Sequence, residues 1–442
     1  MNSFLHQASF ATGYWYYDRH RSVRLVILVG LAIDQIAQSG LSSLSVIYYS
    51  AQLFSEKGSQ LLKLTSRSGR RLLQVQNYAG ILYTPYGLQL EILPKIGKNL
   101  TLEQARETLL IMLSHLSGFR HIQTQQASVH AQRMPLLEIF INQFLHSVSQ
   151  LFKQGLRSDY VKEQANLPFM KGKLMLSAQL RHNVVNRHQF YLDYDDYLPD
   201  CAANRLLHSA LYQLGNLSLS SDNQRWLQEL RFAFDGIPSS RDIKGDISSL
   251  RLERGMAHYH EPLAWAQLIL QGMSPSALQG DAKALSLLFP MEAVFESFVA
   301  STLADELSDG FKVKPQATSY SLVKHGERDC FKLRPDLLIQ SRHPVSTKMV
   351  LDTKWKLINN NSQEKPLYGI AQSDLYQMFA YGQKYLGGSG DMYLIYPAHD
   401  DFNHPIRQHF AFSDTLRLWV VPYQISAKRG QRMMWGKDNP FI

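Results

Sequence analysis

Apolar residues change their spacing along this chain, and each change predicts a different kind of element. In the first third they come in short runs, Ser45–Tyr49, Ala79–Thr84 and Leu88–Leu93, broken by turn residues such as Pro85-Tyr-Gly87. Runs of that kind predict strands. From Leu136 to Leu156 the spacing becomes helical, with Leu136, Leu137, Phe140, Phe144, Leu145, Val148, Leu151 and Phe152 on one stripe. Asn204–Leu214, which Gly215 would end, and Arg225–Phe232 repeat that period, while Asp235–Ser240 and Gln271–Gly280 read as connectors. Pro290 can open a helix that carries Val294, Phe298 and Leu303 to about Leu307. Two strand-like runs, Cys330–Ile339 and Met349–Ile358, then flank a polar turn, and Asn359–Ser362 reads as a loop. A helix from Ser373, as N-cap, to Leu386 ends at Gly387-Gly-Ser-Gly390, and strands Met392–Tyr396 and Leu416–Val421 complete the set. The predicted fold class is α+β or mixed α/β, with a β-rich N-terminal region (1–130), a mainly helical middle (131–275) and a C-terminal α/β domain (276–442).

Composition narrows the function class. The chain has 442 residues, which at ~150 per domain also gives about three domains. Hydrophobic residues make up 45% and charged residues 19%, a globular balance. The run Leu25–Ile33, pinned between Arg24 and Asp34, is far short of the ~20 apolar residues a membrane helix needs, so it reads as a core element. No basic-then-apolar leader opens the chain. Cys201 and Cys330 lie far apart, which excludes a disulfide scaffold and a thiolate zinc site and fits a reducing cytoplasm. A net charge of +9 permits a polyanionic partner. Neither Gly97-Lys98 nor Gly172-Lys173 completes a phosphate-binding loop, so the chain is expected to bind no nucleotide. No base-reading module is visible and no DNA-binding residue is assigned, although Arg334, Lys356 and the Lys428-Arg429…Arg432 cluster with Trp435 are basic positions able to track phosphate. His258-Tyr-His260-Glu261 would set two imidazoles on one face of a strand with no further ligand, and Tyr14-Trp-Tyr-Tyr17 reads as core packing.

Candidate chemistry concentrates in the last region. Asp336 follows Pro335, and sixteen positions later comes Asp352-Thr353-Lys354. Residues two apart on a strand share a face, so Asp352 and Lys354 project together while Thr353 points away. If the two strands pair, Asp336 comes beside Asp352. Adjacent carboxylates repel unless a cation lies between them, and hard oxygen ligands suit Mg²⁺. A lysine there can position or deprotonate a water or stabilise charge on a phosphate, so the set can hydrolyse a phosphodiester. The competing reading is a surface hairpin with a solvated Asp–Lys pair. Gln377 and Tyr381 share a helix face four residues apart, and Glu292 and Glu296 on the preceding helix offer a third acid.

These residues resemble the PD-(D/E)xK nuclease signature with its helix glutamine–tyrosine extension. The wider chain resembles the McrC family, the nuclease subunit of McrBC-type modification-dependent restriction systems. That likeness rests on Asn77-Tyr-Ala-Gly-Ile81, Leu90-Glu-Ile-Leu-Pro-Lys-Ile96, Leu137-Glu-Ile-Phe-Ile141, Gly155-Leu-Arg-Ser-Asp-Tyr-Val161 and Phe289-Pro-Met291 with Phe295-Glu296. It implies a restriction-endonuclease-like C-terminal domain, with Asp336 and Asp352 as metal ligands and Lys354 as the catalytic lysine. Glu296 would be the helix acid, with Gln377 and Tyr381 in support. It further implies Mg²⁺, with Mn²⁺ as an alternative, and a McrB-like hexameric AAA+ partner that uses the GTP and docks on the N-terminal region. The substrate would be modified, foreign double-stranded DNA, cut in the cytoplasm with no membrane involved. Two other functions compete: a non-catalytic activator or adaptor of that partner, and an autonomous RecB-like repair nuclease.

Overall fold

The computed structural model describes residues 13–17, 23–27, 31–32, 62–67, 70–75, 77–83, 89–94, 96, 101–116, 135–217, 219–252, 254–271, 286–360, 366–427, 430 and 432–435. The expected strand Ser45–Tyr49, the Pro85–Gly87 turn, most of the Gln271–Gly280 connector and Lys428-Arg429 lie outside them. Contacts divide the chain into two compact units, Met1–Leu136 with Ser274–Ile442, and Leu137–Met273.

The first unit opens on β1 (Gly13–Tyr17) and β2 (Val23–Ile27), followed by β3 (Leu31–Ala32), β4 (Leu62–Arg67), β5 (Arg70–Val75), β6 (Tyr78–Tyr83), β7 (Gln89–Ile92) and α1 (Leu102–Leu113). The Leu25–Ile33 run thus contributes to two strands, β2 and β3. Thr101 starts α1 with a full capping box, its hydroxyl accepting from the Gln104 amide while the Gln104 side chain accepts from the Thr101 amide. Arg106 on α1 meets Glu91 on β7 in a buried two-pronged pair, Nε to Oε1 at 2.6 Å and Nη2 to Oε2 at 2.9 Å. A motif carboxylate is therefore spent on tying helix to sheet.

The second unit holds α2 (Leu136–Gln154, whose first residue still belongs to the first unit), β8 (Asp159–Leu167), β9 (Lys173–Leu174), α3 (Leu176–His182), β10 (Phe190–Leu198), α4 (Ala202–Leu214), α5 (Ser221–Ala233), α6 (Ile243–Ser249) and α7 (His260–Gln271). The expected stripe on α2 is buried from Leu136 to Leu151, but Phe152 is exposed. Patterning predicted helices here and missed an antiparallel sheet, β8-β10-β9. Its strands read Asp159-Tyr-Val-Lys-Glu and Phe190-Tyr-Leu-Asp-Tyr-Asp-Asp, too polar for an apolar run to mark them. Glu138 of the Leu137–Ile141 motif is buried, and its carboxylate accepts from the Ser220 amide at 2.8 Å, the Ser220 hydroxyl at 2.9 Å and Asn223 Nδ2 at 2.6 Å. It caps α5 from another helix, which explains why Ser220 makes no side-chain cap of its own. His258 and His260 lie on a 3₁₀ turn and on the start of α7, not on a strand.

The chain then returns to the first unit with β11 (Ser286–Pro290), which pairs antiparallel with β6 and completes the sheet β1-β2-β7-β6-β11. Next come α8 (Met291–Glu306), β12 (Phe311–Pro315), β13 (Tyr320–His325), β14 (Arg328–Leu333), β15 (Leu337–Ser341), β16 (Ser346–Thr353), α9 (Gln372–Tyr385), β17 (Gly390–Pro397), β18 (Phe410–Ala411) and β19 (Leu416–Tyr423). Six of these strands form one mixed sheet in the order β12-β15-β16-β17-β19-β18, parallel across β16-β17-β19. Helix α9 covers one face, burying Met378, Tyr381 and Tyr385 with Leu338, Val350, Met392, Leu394 and Leu418. Helix α8 packs on β16 as well, and its Phe298 meets the Tyr423 ring at 6.0 Å. Cover on both faces accounts for strands that are apolar without alternation.

Several boundaries differ from the sequence reading, and those around the acidic residues matter most. Cys330–Ile339 is two strands in two sheets, split at Arg334-Pro335-Asp336, because proline cannot donate to a ladder. The second strand ends at Thr353 rather than Ile358. Ser373 lies inside α9, which starts at Gln372 with Ala371 at the cap. The Gly387-Gly388 ending holds, both residues having left-handed φ of 64° and 81°.

Candidate active site

Strands β15 and β16 pair antiparallel with Leu337 opposite Leu351, so Asp336 and Asp352 stand opposite each other just beyond the ladder. Asp352 is the next-to-last residue of a strand whose final five positions, Met349 to Thr353, are all buried, and only 1% of its own surface is exposed. The solvated Asp–Lys hairpin is thereby excluded. Lys354 Nζ lies 2.7 Å from Asp352 Oδ2 and donates to Gln377 Oε1 at 3.1 Å. Gln377 Nε2 in turn donates to the Tyr381 hydroxyl at 2.7 Å, and that hydroxyl donates to the Arg334 carbonyl at 2.9 Å. One chain of contacts thus runs Asp352–Lys354–Gln377–Tyr381 and closes on the residue before Pro335. Asp352 Oδ1, by contrast, is buried with no hydrogen-bond partner.

Thr353 does turn away from Lys354, as strand alternation predicts, but it turns toward Asp336. Its amide and its hydroxyl both donate to Asp336 Oδ2 at 2.7 Å. Such a clamp fixes the carboxyl rotamer and leaves Oδ1 uncommitted. Of the two helix acids, Glu292 accepts from Asn77 Nδ2 at 3.1 Å and so ties α8 to the β6 motif. Glu296, one turn on, accepts from Gln316 Nε2. The Gln316 amide donates to the Asp336 carbonyl at 2.8 Å, which brings Glu296, Gln316 and Asp336 together. Gln316, Thr353 and Asp374, whose charge reaches both Asp352 and Lys354, were missed by sequence reading. Only Thr353, wedged between two candidate residues, gave any local sign.

Electrostatics follow from burial. Desolvation raises Asp336, Asp352 and Glu296 above the ordinary carboxylate range; the Asp336 charge adds to the rise at both Asp352 and Glu296. Asp352 reaches about 7. Burial works against the Lys354 ammonium, yet Asp352 beside it leaves its pKa raised, so the lysine stays charged. One ammonium cannot neutralise a buried and a half-buried carboxylate together, and the remaining negative charge calls for a proton or a cation. Together with the orphaned Asp352 Oδ1, this donor set fits a hard divalent ion. Among the described residues, no three His, Cys, Asp or Glu side chains already converge as a ready metal site.

The other sequence candidates resolve differently. Arg432 is buried against Glu306, its amide donating to Oε1 at 3.1 Å, and is no phosphate contact. Lys356 Nζ donates to the Gly369 carbonyl at 2.6 Å. The Arg334 side chain is exposed next to the acidic pair. Side chains of Tyr14–Tyr17 lie outside the described set.

Comparison with known proteins adds a family and a fold. No curated protein matches the chain. A chain from a refined half-complex of the tetradecameric assembly of Thermococcus gammatolerans McrB AAA+ hexamers with bound McrC superposes with a TM-score of 0.65. It is 17% identical and the match covers 93% of this chain and 96% of that one, so the fold is shared over nearly the whole length. A chain of the cryo-EM structure of the Thermococcus gammatolerans McrBC complex gives a TM-score of 0.42 at 19% identity, over 62% of this chain and 79% of that one. Residues 73–397 match the model of the McrBC 5-methylcytosine restriction system component, and the chain belongs to that family.

Proposed function

We propose that this chain is the metal-dependent DNA endonuclease subunit of a McrBC-type restriction system, with residues 276–442 as a PD-(D/E)xK nuclease domain. The observation that carries the reading is the pairing of half-buried Asp336 with fully buried Asp352, which one lysine leaves undercompensated and whose Asp352 Oδ1 has no protein partner. A scaffold or adaptor would have no use for so costly an arrangement. Asp336 and Asp352 would hold Mg²⁺ or Mn²⁺, which when bound supplies Lewis acidity and a more acidic water. Lys354, steered by Gln377 and Tyr381, places a fixed positive charge where phosphate oxygens gain charge. Glu296, its proton affinity raised by burial and by Asp336, is suited to hold or release a proton at the rim. The solved neighbour is an assembly of McrB AAA+ hexamers with bound McrC, which supports a AAA+ hexamer as partner here too.

The test is cleavage of methylated and unmethylated plasmid with Mg²⁺ by the chain alone, and with a McrB-type partner and GTP. Cutting that needs partner, GTP and methylation is the expected result. Cutting by the chain alone would replace the proposal with an autonomous nuclease. Faster GTP hydrolysis with no cutting would replace it with an adaptor.

The metal assignment has its own signature. Without metal, Asp352 keeps its proton up to about pH 7, and a divalent ion must displace it. Calorimetric titration of Mg²⁺ at a pH near 6, in buffers of different ionisation enthalpy, should show about one proton released per ion, falling toward none two units higher. Equal release at both pH values would remove Asp352 from the metal site.

A further inference from the structure

Strands β13 and β14 form a two-stranded sheet of their own, outside the six-stranded sheet. They turn through Gly326-Glu327, with Gly326 at a φ of 61°. An isolated hairpin is marginal in water, so something must hold it. Tyr385 of α9 does so at the base, its hydroxyl donating to the carbonyls of Ala317 and Leu333 at 3.1 Å each. The Tyr320 ring packs edge-on against Tyr385 at 4.8 Å. Both legs then run straight into the acidic cluster. One leg begins at Gln316, bonded to Glu296 and to the Asp336 backbone; the other ends at Arg334, bonded to Tyr381, two residues before Asp336.

Away from that base the hairpin is bare. Leu322, Val323 and Phe331 are exposed, Phe331 by 76%, and Phe331 adopts a left-handed φ of 58° that a bulky residue rarely accepts. In-register partners share a face, and the register sorts the charges. Lys324 pairs with Asp329 on the face that carries Tyr320 and Leu333. The opposite face holds Ser321 with Lys332, Val323 with Cys330, and His325 with Arg328, and no carboxylate. Among the described residues no ion pair engages Arg328 or Lys332. Lys312 and Lys314, two apart on β12, which precedes the hairpin in the chain, are exposed as well.

We propose that the β13–β14 hairpin is an arm that grips the phosphate backbone of duplex DNA beside the scissile site, through Arg328 and Lys332. A protruding basic ribbon has the dimensions to follow a duplex groove, and its roots at Asp336 and Glu296 place any duplex it holds at the acids. The assignment rests on the nuclease reading and goes further by naming the surface that holds the substrate.

The experiment is anisotropy of a labelled unmodified duplex of about 30 base pairs with the full chain, without divalent metal, between about 50 and 200 mM salt. The double variant Arg328→Ser, Lys332→Ser is compared with Arg241→Ser, Lys244→Ser, which removes the same charge from exposed positions of the other unit. The arm variant should lose roughly tenfold or more in affinity, and its log–log salt slope should flatten by about 2, one for each phosphate contact. The control pair should change neither. An unchanged arm variant overturns the proposal, as does an equal loss in both pairs, which would report net charge alone. Duplex binding by the native chain is measured first, and the plasmid test with partner and GTP separates failure of the arm from failure of the nuclease reading. No binding at all overturns the arm and leaves the nuclease reading to the plasmid test, whereas native binding that the arm variant retains defeats the arm alone.

Discussion

Asp352→Asn is expected to remove at least about a thousandfold of Mg²⁺-dependent cleavage, equal to roughly 4 kcal/mol of barrier. It should do so while making the metal-free protein more stable above neutral pH. The sign follows from proton binding. Asp352 holds its proton to about pH 7 in the fold against 3.8 for an ordinary aspartate, so the folded state binds more protons across that window. Native stability therefore falls as pH rises from about 4 to about 7, and the neutral amide lacks that loss. Urea unfolding with chelator at pH values near 5 and 8 should show the variant gaining on the native chain by up to a few kcal/mol at the higher pH. A variant that loses activity and also loses stability at both pH values would make Asp352 a structural residue instead.

Gly80→Ala carries the largest structural penalty. Gly80 lies within the Asn77-Tyr-Ala-Gly-Ile81 motif, with a φ of 136° that L side chains rarely adopt. A Cβ there would collide with the Leu287 carbonyl of β11, which is backbone and cannot move aside without breaking the β6–β11 pairing. Strain and collision together should cost about 3 kcal/mol or more. The result expected from thermal unfolding is a midpoint lower by several degrees, or failure to accumulate. An unchanged midpoint would show that β11 does not lie against Gly80. Because Pro290 ends β11 and caps α8, which carries Glu296, the motif glycine acts on the acidic site only through packing.

Much of the molecule was legible in the chain. Helical period marked α2, α4 and α5, and the apolar runs marked β6, β7, β17 and β19, because burial writes its own period into neighbouring positions. The Asp336…Asp352-Thr-Lys354 spacing, closed by the β15–β16 hairpin, sufficed to bring the acids and lysine together. Strands with few apolar residues, β8 and β10, left no such mark.

What only tertiary structure decided are contacts between residues remote in sequence. Glu296 meets Gln316 and feels the Asp336 charge, whereas Glu292, one turn earlier on α8, is bonded to Asn77, more than two hundred positions away. Arg432 is buried by Glu306 and not offered to phosphate. Thr353 and Gln316 became part of the site because a strand end and a left-handed turn aim them at Asp336 and Glu296. The pKa of Asp352 depends on how deeply two helices bury a strand end, which no local pattern encodes. Sequence by itself determined which groups were present and which element carried each. Folding decided which of them meet, since hydrogen bonds and desolvation depend on distance in space rather than along the chain.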